Sequence, residues 1–257
     1  MTEFVRTYRC DGILHVIIDR PEKRNALNRA TLEELSAAFD PYQADEDLRL
    51  AILTGAGEKS FAAGGDLSEL ASVKGEKAAV EMATRAKAAL SRVREFPLPV
   101  VAGLNGDALG GGAELAVACD LRVAASHARI GFIQGRLGIT SAWGGGVDLI
   151  RLVGTARAMQ MMTRTEVVDQ VAALDCGLYN AVASEGQSLD DAIAEFIKPM
   201  RNQSPHVMRA FKELSLHARR ADRDAMDAME TLNFGRAWAH PDHDIAVARL
   251  QGKRKAR

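Results

Sequence analysis

One stretch of the chain combines a run of glycines with a single carboxylate. Residues 110–112 are three consecutive glycines, and Glu114 follows Gly111 by three positions inside an otherwise apolar segment. A helix that begins in glycines leaves its first N–H groups unpaired, so they can hold negative charge that develops on a bound molecule. The spacing places the Glu114 side chain on the same helix face as the Gly111 donor, about one turn along.

Two interpretations of Glu114 stay open on this stretch alone. The carboxylate could stabilise the helix by opposing its macrodipole, or could pair with a distant arginine. It could instead be a catalytic acid or base beside an oxyanion hole. Short glycine motifs also arise by chance, so the rest of the chain has to discriminate between the two.

The composition is that of an ordinary globular protein. The chain has 257 residues, of which 47% are hydrophobic and 26% are charged, and its formal net charge is −1. A near-neutral chain lacks the electrostatic footprint of a nucleic-acid-binding or membrane-surface protein. Basic residues cluster at 253–257 and at Arg219 and Arg220, where a solvated surface is the simpler interpretation. We expect no nucleic-acid partner and no membrane partner.

Cysteine usage bears on the compartment. The three cysteines, Cys10, Cys119 and Cys176, lie far apart and form no CxxC pair. Their number and spacing argue against a disulfide framework or a zinc site and favour a reducing compartment. The first ten residues carry no apolar run of the signal-peptide type. No run reaches the roughly 18 apolar residues of a membrane helix. These features predict a cytoplasmic protein.

The elements that must position Glu114 can be predicted along the chain. We expect strands at residues 4–9, 12–19, 49–54, 99–104 and 121–125. A capping box that starts at Thr31 predicts a helix over 31–44, and the pair Asp66 and Glu69 predicts another helix directly after Gly65. Further helices are expected at residues 76–95 and 146–152.

From residue 155 onward the pattern turns helical. Helices are predicted at residues 156–162, 189–200, 205–216, 223–239 and 245–251. Ser188 and Ser204 stand at N-cap positions of two of them. Before that point, strand, glycine-rich turn and helix recur without a fixed period. This order favours an α/β spiral of ββα units, with an α-helical C-terminal region, over a doubly wound sheet.

The sequence lacks the residue spacing of other common functional motifs. The sequence has no GxxxxGK[ST] phosphate loop, no GxGxxG fingerprint with an acidic residue downstream, and no GxSxG nucleophile elbow. His240 and His243 flank Asp242 in a spacing that could bind a metal ion. No third ligand motif accompanies them, so we expect a surface turn and no metal site.

Five segments together resemble the enoyl-CoA hydratase/isomerase (crotonase) family, and the resemblance covers nearly the whole chain. They are DRPEKRNALN at 19–28, TGAGEKSFAAGGDL at 54–67, NGDALGGGAELAVACD at 105–120, LGITSAWGGG at 137–146 and KRKAR at 253–257. The resemblance implies a crotonase-like spiral core at 1–195 and a helical trimerisation region at 196–257. It further implies a homotrimer or a dimer of trimers.

The resemblance also assigns roles to residues. Backbone N–H groups of Gly65 and Gly111 would form an oxyanion hole for a thioester carbonyl, with Glu114 as the acid and base beside it. Coenzyme A would lie along a set of loop residues: Arg24, Ala26, Ala63, Gly64, Asp66 and Leu67. The partner implied is an acyl-CoA substrate. No tightly bound cofactor is implied, because coenzyme A is part of that substrate.

One position departs from the family pattern. Hydratases of this family usually present a second glutamate, and alignment on Gly138 places Gln134 at that position. A glutamine amide can orient water but cannot exchange a proton near neutral pH. Gln134 is therefore a catalytic-site candidate whose chemistry decides the reaction.

Several activities stay open on the sequence. Hydration or dehydration of a 2-enoyl-CoA is favoured, with Glu114 handling both proton transfers. A double-bond isomerase and an alkylmalonyl-CoA decarboxylase are alternatives, since SAWGGG around Trp143 is similar to an SWGG segment of the family's decarboxylase branch. A non-catalytic scaffold that binds coenzyme A or RNA is an alternative of another class, and the near-neutral charge argues against RNA.

Overall fold

A computed structural model describes residues 4–255, with side chains up to residue 252. Its strands are β1 (Val5–Cys10), β2 (Ile13–Ile18), β3 (Leu50–Gly55), β4 (Ser60–Ala62), β5 (Val100–Leu104), β6 (Asp107–Leu109), β7 (Leu121–Ala124), β8 (Ile130–Gly131), β9 (Val167–Val168) and β10 (Ala181–Val182). Its helices are α1 (Arg29–Ala37), α2 (Leu67–Leu70), α3 (Gly75–Arg94), α4 (Gly111–Ala118), α5 (Gly145–Arg164), α6 (Gln170–Asp175), α7 (Leu189–Arg201), α8 (Pro205–Arg220), α9 (Arg223–Ala239) and α10 (Pro241–Lys255). Short 3₁₀ turns lie at Pro21–Lys23, Asp40–Tyr42 and Gln134–Leu137.

Two sheets are built by the same repeated turn of chain. The larger has six strands in the order β1-β2-β3-β5-β7-β10, and the smaller has four in the order β4-β6-β8-β9. β3, β5 and β7 are parallel neighbours in the larger sheet, and each leads to a strand of the smaller sheet and then to a helix. Three such ββα turns end in α3, α4 and α5. The predicted α/β spiral with a helical C-terminal region is confirmed.

Both faces of the larger sheet are covered, which explains the apolar runs in its central strands. On one face, Leu53 and Ala102 belong to the main core, which also contains Leu90 of α3 and Leu115 of α4. On the other face, a second apolar cluster joins the sheet to α7 through Leu50, Ile52, Val101, Val123, Ile193 and Ile197. A strand buried on both faces shows a continuous apolar run rather than alternation.

The predicted bounds of the first helix are wrong at both ends. α1 begins at Arg29, because Oδ1 of Asn28 accepts the N–H of Thr31 at 2.8 Å and so caps the helix two residues earlier than predicted. α1 ends at Ala37 rather than at residue 44, and a 3₁₀ turn follows that contains Pro41. Proline has no N–H for a helical hydrogen bond.

Other helix predictions need smaller corrections. The helices predicted at 146–152 and 156–162 are both parts of α5, and the break between them is Gly154 with φ 76° and ψ 164°. Ser204 does precede α8, but its hydroxyl makes no capping hydrogen bond. β6, β8, β9, β10 and α6 were not predicted, because at six residues or fewer they carry too little periodicity.

The C-terminal helices return to the spiral core. α9 packs along α3, and α10 lies against the 3₁₀ turn Gln134–Leu137. The predicted boundary at residue 195 falls inside the continuous helix α7, and the division into a core and a trimerisation region stays a prediction. α10 extends into the basic cluster 253–257, whose side chains lie outside the described part of the chain.

Candidate active site

The first turn of α4 presents a free backbone donor. No acceptor for the N–H of Gly111 is found among residues 4–255. Gly112 brings this turn close to the smaller sheet, since a Cβ there would lie less than 3.0 Å from the carbonyl oxygen of Ala62. The glycine run therefore serves two purposes, a bare helix N-terminus and close packing on β4.

The loop after β4 brings a second donor to the same place. Gly64 has φ 98°, which favours glycine, and a Cβ there would stand 2.9 Å from the carbonyl oxygen of Leu109 and 3.4 Å from the nitrogen of Gly111. The N–H of the next residue, Gly65, likewise finds no acceptor in the described part of the chain. Two unpaired N–H groups on adjacent segments can stabilise an oxyanion.

The loop that follows β2 is hydrogen-bonded to the loop that carries Gly65. The N–H of Ala63 donates to the carbonyl of Arg24 at 3.1 Å, and the N–H of Leu27 donates to the carbonyl of Gly64 at 2.8 Å. Ala26 lies between these two bonds in the chain, and its carbonyl accepts from Nη1 of Arg20. The residues expected along coenzyme A thus lie together, and their role in binding stays a prediction.

Asp66 and Leu67 lie where that loop becomes a helix. Oδ1 of Asp66 accepts the N–H of Ser68 at 3.1 Å and so caps α2, while Oδ2 pairs with Arg20 at 3.2 Å. Hydrogen bonds from Ser68, together with Arg20, lower the pKa of Asp66 although burial opposes this. Leu67 is the first residue of α2 and is 36% exposed. The Asp66 carboxylate is thus engaged within the protein.

Glu114 is buried, and donors from two other segments surround its carboxylate. Oε2 accepts the N–H of Trp143 at 2.8 Å and the N–H of Gly145 at 2.9 Å, both at the start of α5. Oε1 accepts from Nε2 of Gln134 at 3.0 Å. Only 2% of the residue is exposed. These contacts are all to neutral donors, and no arginine pairs with Glu114 among the described side chains. The distant-arginine form of the structural interpretation is therefore not supported.

The environment of Glu114 favours its protonated form. Burial and the charge of Glu230 raise the pKa of Glu114 to about 7, and the hydrogen bonds from Gly145, Trp143 and Gln134 oppose that rise only in part. A carboxyl group with a pKa near neutrality can both accept and donate a proton under physiological conditions. This is the property that a residue handling two proton transfers requires.

Gln134 lies beside Glu114, and its correspondence to the family's second glutamate stays a prediction. It begins the 3₁₀ turn Gln134–Leu137 and is half-buried, with its amide turned toward Glu114. The Nε2 group donates to the Glu114 carboxylate at 3.0 Å and so brings the two polar groups together. A water molecule there could be oriented by the pair, but Gln134 cannot take its proton.

Trp143 forms a wall of the candidate site. A Cβ at Gly111 would lie less than 3.0 Å from its indole ring, and a Cβ at Gly65 would lie 3.6 Å from Cη2, so the ring edge faces both donor glycines. Trp143 also lines a cavity of about 560 Å³, whose apolar lining includes Leu27, Leu32, Leu70, Val73, Met82 and Ala86. An acyl chain that leaves the oxyanion donors has this apolar cavity beside it.

Glu230 of α9, like Glu114, accepts N–H groups at the N-terminus of α5. The sequence did not single it out. Its carboxylate accepts the N–H of Gly144 at 2.8 Å, the N–H of Gly146 at 3.0 Å and the hydroxyl of Ser141 at 2.8 Å. Nothing in the sequence marks Glu230, which is one acidic residue of a helical stretch, because its partners lie more than 80 positions away.

The first turn of α5 is also fixed by a buried charge cluster around Asp148. Asp148 accepts from Arg94 at 2.6 Å, from Arg223 at 2.7 Å and from Arg219 at 3.0 Å. Burial opposes ionisation of Asp148, but the three arginines outweigh it and hold its pKa well below the ordinary range. Arg94 and Arg223 also donate to the carbonyls of Trp143 and Gly144. The cluster thereby anchors the turn that carries the donors to Glu114.

The surface turn predicted at His240 and His243 is wrong for His243. His243 is not at a surface turn but is 7% exposed, with Nδ1 2.6 Å from the carbonyl oxygen of Leu137 and its ring against Trp238. In residues 4–252 no group of three or more metal-ligating side chains comes together. Among the described helices, none combines the length and apolar character needed to cross a membrane.

Comparison with known proteins identifies the class. The family model for enoyl-CoA hydratase/isomerase matches residues 9–257. The chain is 35% identical to a short-chain-enoyl-CoA hydratase of Clostridium acetobutylicum over 93% of this chain and 91% of that protein. It is 36% identical to a carnitinyl-CoA dehydratase of Citrobacter koseri over 83% of this chain and 80% of that protein.

A solved structure agrees with the sequence relatives. The enoyl-CoA hydratase of Bacillus anthracis superposes with a TM-score of 0.78 at 30% identity, and covers 88% of this chain and 90% of its own. The fold is therefore the crotonase fold. The chain belongs to the enoyl-CoA hydratase/isomerase family, as the five sequence segments indicated.

Proposed function

We propose that this protein hydrates and dehydrates 2-enoyl thioesters of coenzyme A, with Glu114 as the single acid and base and the N–H groups of Gly65 and Gly111 as the oxyanion donors. The observation that carries the proposal is the buried Glu114 carboxyl, whose pKa is raised to about 7, on the same helix turn as a free N–H. The names of the relatives from Clostridium acetobutylicum and Citrobacter koseri support the same chemistry.

The reaction needs one proton acceptor that later returns the proton. The ionised Glu114 takes a proton from water while the oxygen of that water bonds to the β-carbon of the enoyl group. The electron pair of the double bond moves to the thioester oxygen, where two backbone N–H groups hold the enolate; such a donor is worth on the order of 3 kcal/mol. Glu114 then returns its proton to the α-carbon, and the enolate collapses to the 3-hydroxyacyl thioester.

In this proposal Gln134 positions the water and Glu114 without exchanging protons. Arg24, Ala26, Ala63, Gly64, Asp66 and Leu67 lie along the coenzyme A portion. The substrate supplies that group, so no resident cofactor takes part. The apolar cavity beside Trp143 receives the acyl chain.

The proposal is tested by following the loss of the conjugated thioester absorbance of crotonyl-CoA. We expect Glu114→Ala to lower kcat by roughly 10²-fold or more, the range of general acid–base catalysis, with a small change in KM. Glu213→Gln, at an exposed position of α8, is the matched control. Unchanged turnover in a folded Glu114→Ala protein would remove Glu114 from the mechanism.

One observation favours a second candidate reaction. A single ionisable carboxyl group beside an oxyanion site and a tryptophan wall also suits decarboxylation of an alkylmalonyl thioester. Loss of CO₂ leaves the same enolate, and protonated Glu114 supplies the α-proton. No turnover of 2-enoyl thioesters, together with CO₂ release from methylmalonyl- or ethylmalonyl-CoA, would establish decarboxylation instead. Movement of a β,γ double bond into conjugation would indicate an isomerase.

We also propose a homotrimer or a dimer of trimers in the cytoplasm. Large apolar side chains stand exposed on the C-terminal helices, among them Phe211 and Leu214 on α8 and Met229 and Leu232 on α9. Burial of such side chains between subunits would be favourable. The cysteines Cys10, Cys119 and Cys176 are free thiols, in keeping with a reducing compartment.

A further inference from the structure

Two buried carboxylates share the N-terminus of α5. Glu114 accepts the N–H groups of residues 143 and 145, and Glu230 accepts those of residues 144 and 146. A helix N-terminus carries unpaired donors and a partial positive charge, and a single acidic side chain ordinarily suffices to cap it. Here successive N–H groups donate alternately to Glu114 of α4 and to Glu230 of α9.

The glycines of this turn make room for both carboxylates. A Cβ at Gly145 would lie less than 3.0 Å from the side chain of Glu114, and a Cβ at Gly146 would stand 2.7 Å from Oε1 of Glu230. Gly144 has φ 84°, and a Cβ there would meet Arg223 at 2.7 Å and Arg94 at 2.9 Å. The GGG sequence thus leaves room for both Glu114 and Glu230 to approach the backbone of this turn.

Charged groups surround this pair from three helices. Nζ of Lys87 on α3 lies 3.3 Å from Oε2 of Glu230 and donates to the carbonyl of Asp227 at 2.7 Å. Arg223 on α9 pairs with both Asp227 and Asp148. The cluster around Asp148 is completed by Arg94 on α3 and Arg219 on α8. Glu114 has no cation within salt-bridge distance among the described side chains, so Glu230 is the charge that it faces.

We propose that Glu230 is a positioning residue for Glu114. It holds the 141–146 turn so that the N–H groups of this turn bind the Glu114 carboxylate, and its negative charge acts on that carboxylate. The proposal rests on the proposed function, since it concerns the group that moves the proton. It also gives the C-terminal helical region a part in the chemistry, because α9 supplies the second cap.

The sign of the expected effect follows from the charges. Removal of the Glu230 charge takes a negative charge away from Glu114 and leaves Lys87 with only the more distant Asp227, at 4.0 Å, as a carboxylate partner among the described residues. Both changes favour ionised Glu114 and lower its pKa. Because hydration begins with ionised Glu114, the acid limb of the kcat/KM profile moves to lower pH.

The test compares Glu230→Gln, Glu230→Asp and wild type. We expect the acid limb near pH 7 in wild type and about one pH unit lower in Glu230→Gln, the size of a single close charge effect. Glu230→Asp keeps the charge on a shorter side chain, so it should restore the limb while kcat stays reduced. Asp224→Asn removes a negative charge from the exposed side of α9 and should leave the profile unchanged.

Titration of ¹³C-carboxyl-labelled glutamate by NMR, with Glu114 assigned from Glu114→Gln, supplies a readout that needs no turnover. An unshifted Glu114 titration in folded Glu230→Gln overturns the inference, as does an equal shift in Glu230→Asp. If wild type turns over no thioester, the proposed function is contradicted. If Glu230→Gln still shifts the Glu114 titration in that case, the coupling between the two carboxylates stands.

Discussion

At the scale of single residues, the proposed mechanism depends on the contact between Glu114 and Gln134. The amide nitrogen lies 3.0 Å from the carboxylate, so the two side chains act on the same small volume. A carboxyl group at position 134 would face Glu114 across that volume. In the proposed mechanism one ionisable group serves both proton transfers, whereas two groups could divide them.

Gln134→Glu is therefore expected to raise hydration. The second carboxyl group would act on water while Glu114 serves the α-carbon, and we expect kcat on crotonyl-CoA to increase about tenfold or more, at the lower end of what a positioned acid or base contributes. The two carboxyls would titrate as a coupled pair, so the pH profile should gain a second limb. Absorbance assays across pH measure both.

Gln134→Met is the matched control for this prediction, because it fills similar space without a proton or a hydrogen-bonding amide. It should not raise kcat. If folded Gln134→Glu shows no gain while Glu114→Ala abolishes turnover, position 134 does not face the reacting water, and the role assigned to it by alignment is wrong.

Residue types in the site were largely predictable, and one contact was not. Gly65, Gly111 and Glu114 follow from local spacing and family resemblance, since a glycine-rich helix start and a carboxylate one turn along are readable in a few positions. The role of Glu230 cannot be predicted from such a short segment of sequence. Its function depends on α9 folding back along α3, and no local pattern in a helical stretch specifies which distant turn an acidic side chain reaches.

At the scale of elements, α5 connects the catalytic turn to the rest of the protein. Its N-terminus is held by Glu114 and Glu230. Asp148, also in the first turn, pairs with three arginines from α3, α8 and α9. The sequence predicted the helix and its glycines but not this cluster, because the ion pairs join residues at least 54 positions apart. The buried Asp148 carboxylate depends on its ion pairs with all three arginines.

Asp148→Asn is expected to destabilise the protein by about 3 kcal/mol, the typical cost of breaking a buried charge network. Three arginines would be left around a neutral amide. Urea unfolding monitored by circular dichroism measures the free energy of unfolding. Asp224→Asn, at an exposed position in the first turn of α9, should change it by less than about 0.5 kcal/mol.

The loss of stability in Asp148→Asn should depend on pH, and the depressed pKa of Asp148 sets the direction. The pKa of Asp148 is depressed in the folded protein, so its contribution is present above the unfolded value, ordinarily about 3.9, and is lost as pH falls through the lower folded value. The stability difference between wild type and Asp148→Asn should therefore shrink in acid. A difference that stays constant from neutral pH down to acid denaturation would assign the loss to packing rather than to charge.

At the scale of the whole molecule, the larger sheet is covered on both faces while the C-terminal helices keep an apolar surface. Phe211 and Leu214 of α8 are 64% and 70% exposed, and they lie one helix turn apart. Met229 and Leu232 repeat this arrangement on α9. A contiguous exposed apolar surface on a folded protein marks an interaction site. The family resemblance implies that its occupant is another copy of the chain.

Light scattering should accordingly give wild type a mass that is a multiple of 27.7 kDa, with three or six copies expected. Phe211→Ser combined with Leu214→Ser should shift the protein toward the monomer, because each large apolar side chain is worth roughly 1.5–3 kcal/mol when buried. Tyr8→Ser, on β1 and half exposed, is the matched loss of an exposed ring away from these helices and should leave the mass unchanged. A monomeric wild type at micromolar concentration would contradict the trimer. A double variant that keeps the assembled mass would place the interface elsewhere, while circular dichroism of the same sample shows whether α8 and α9 have stayed helical.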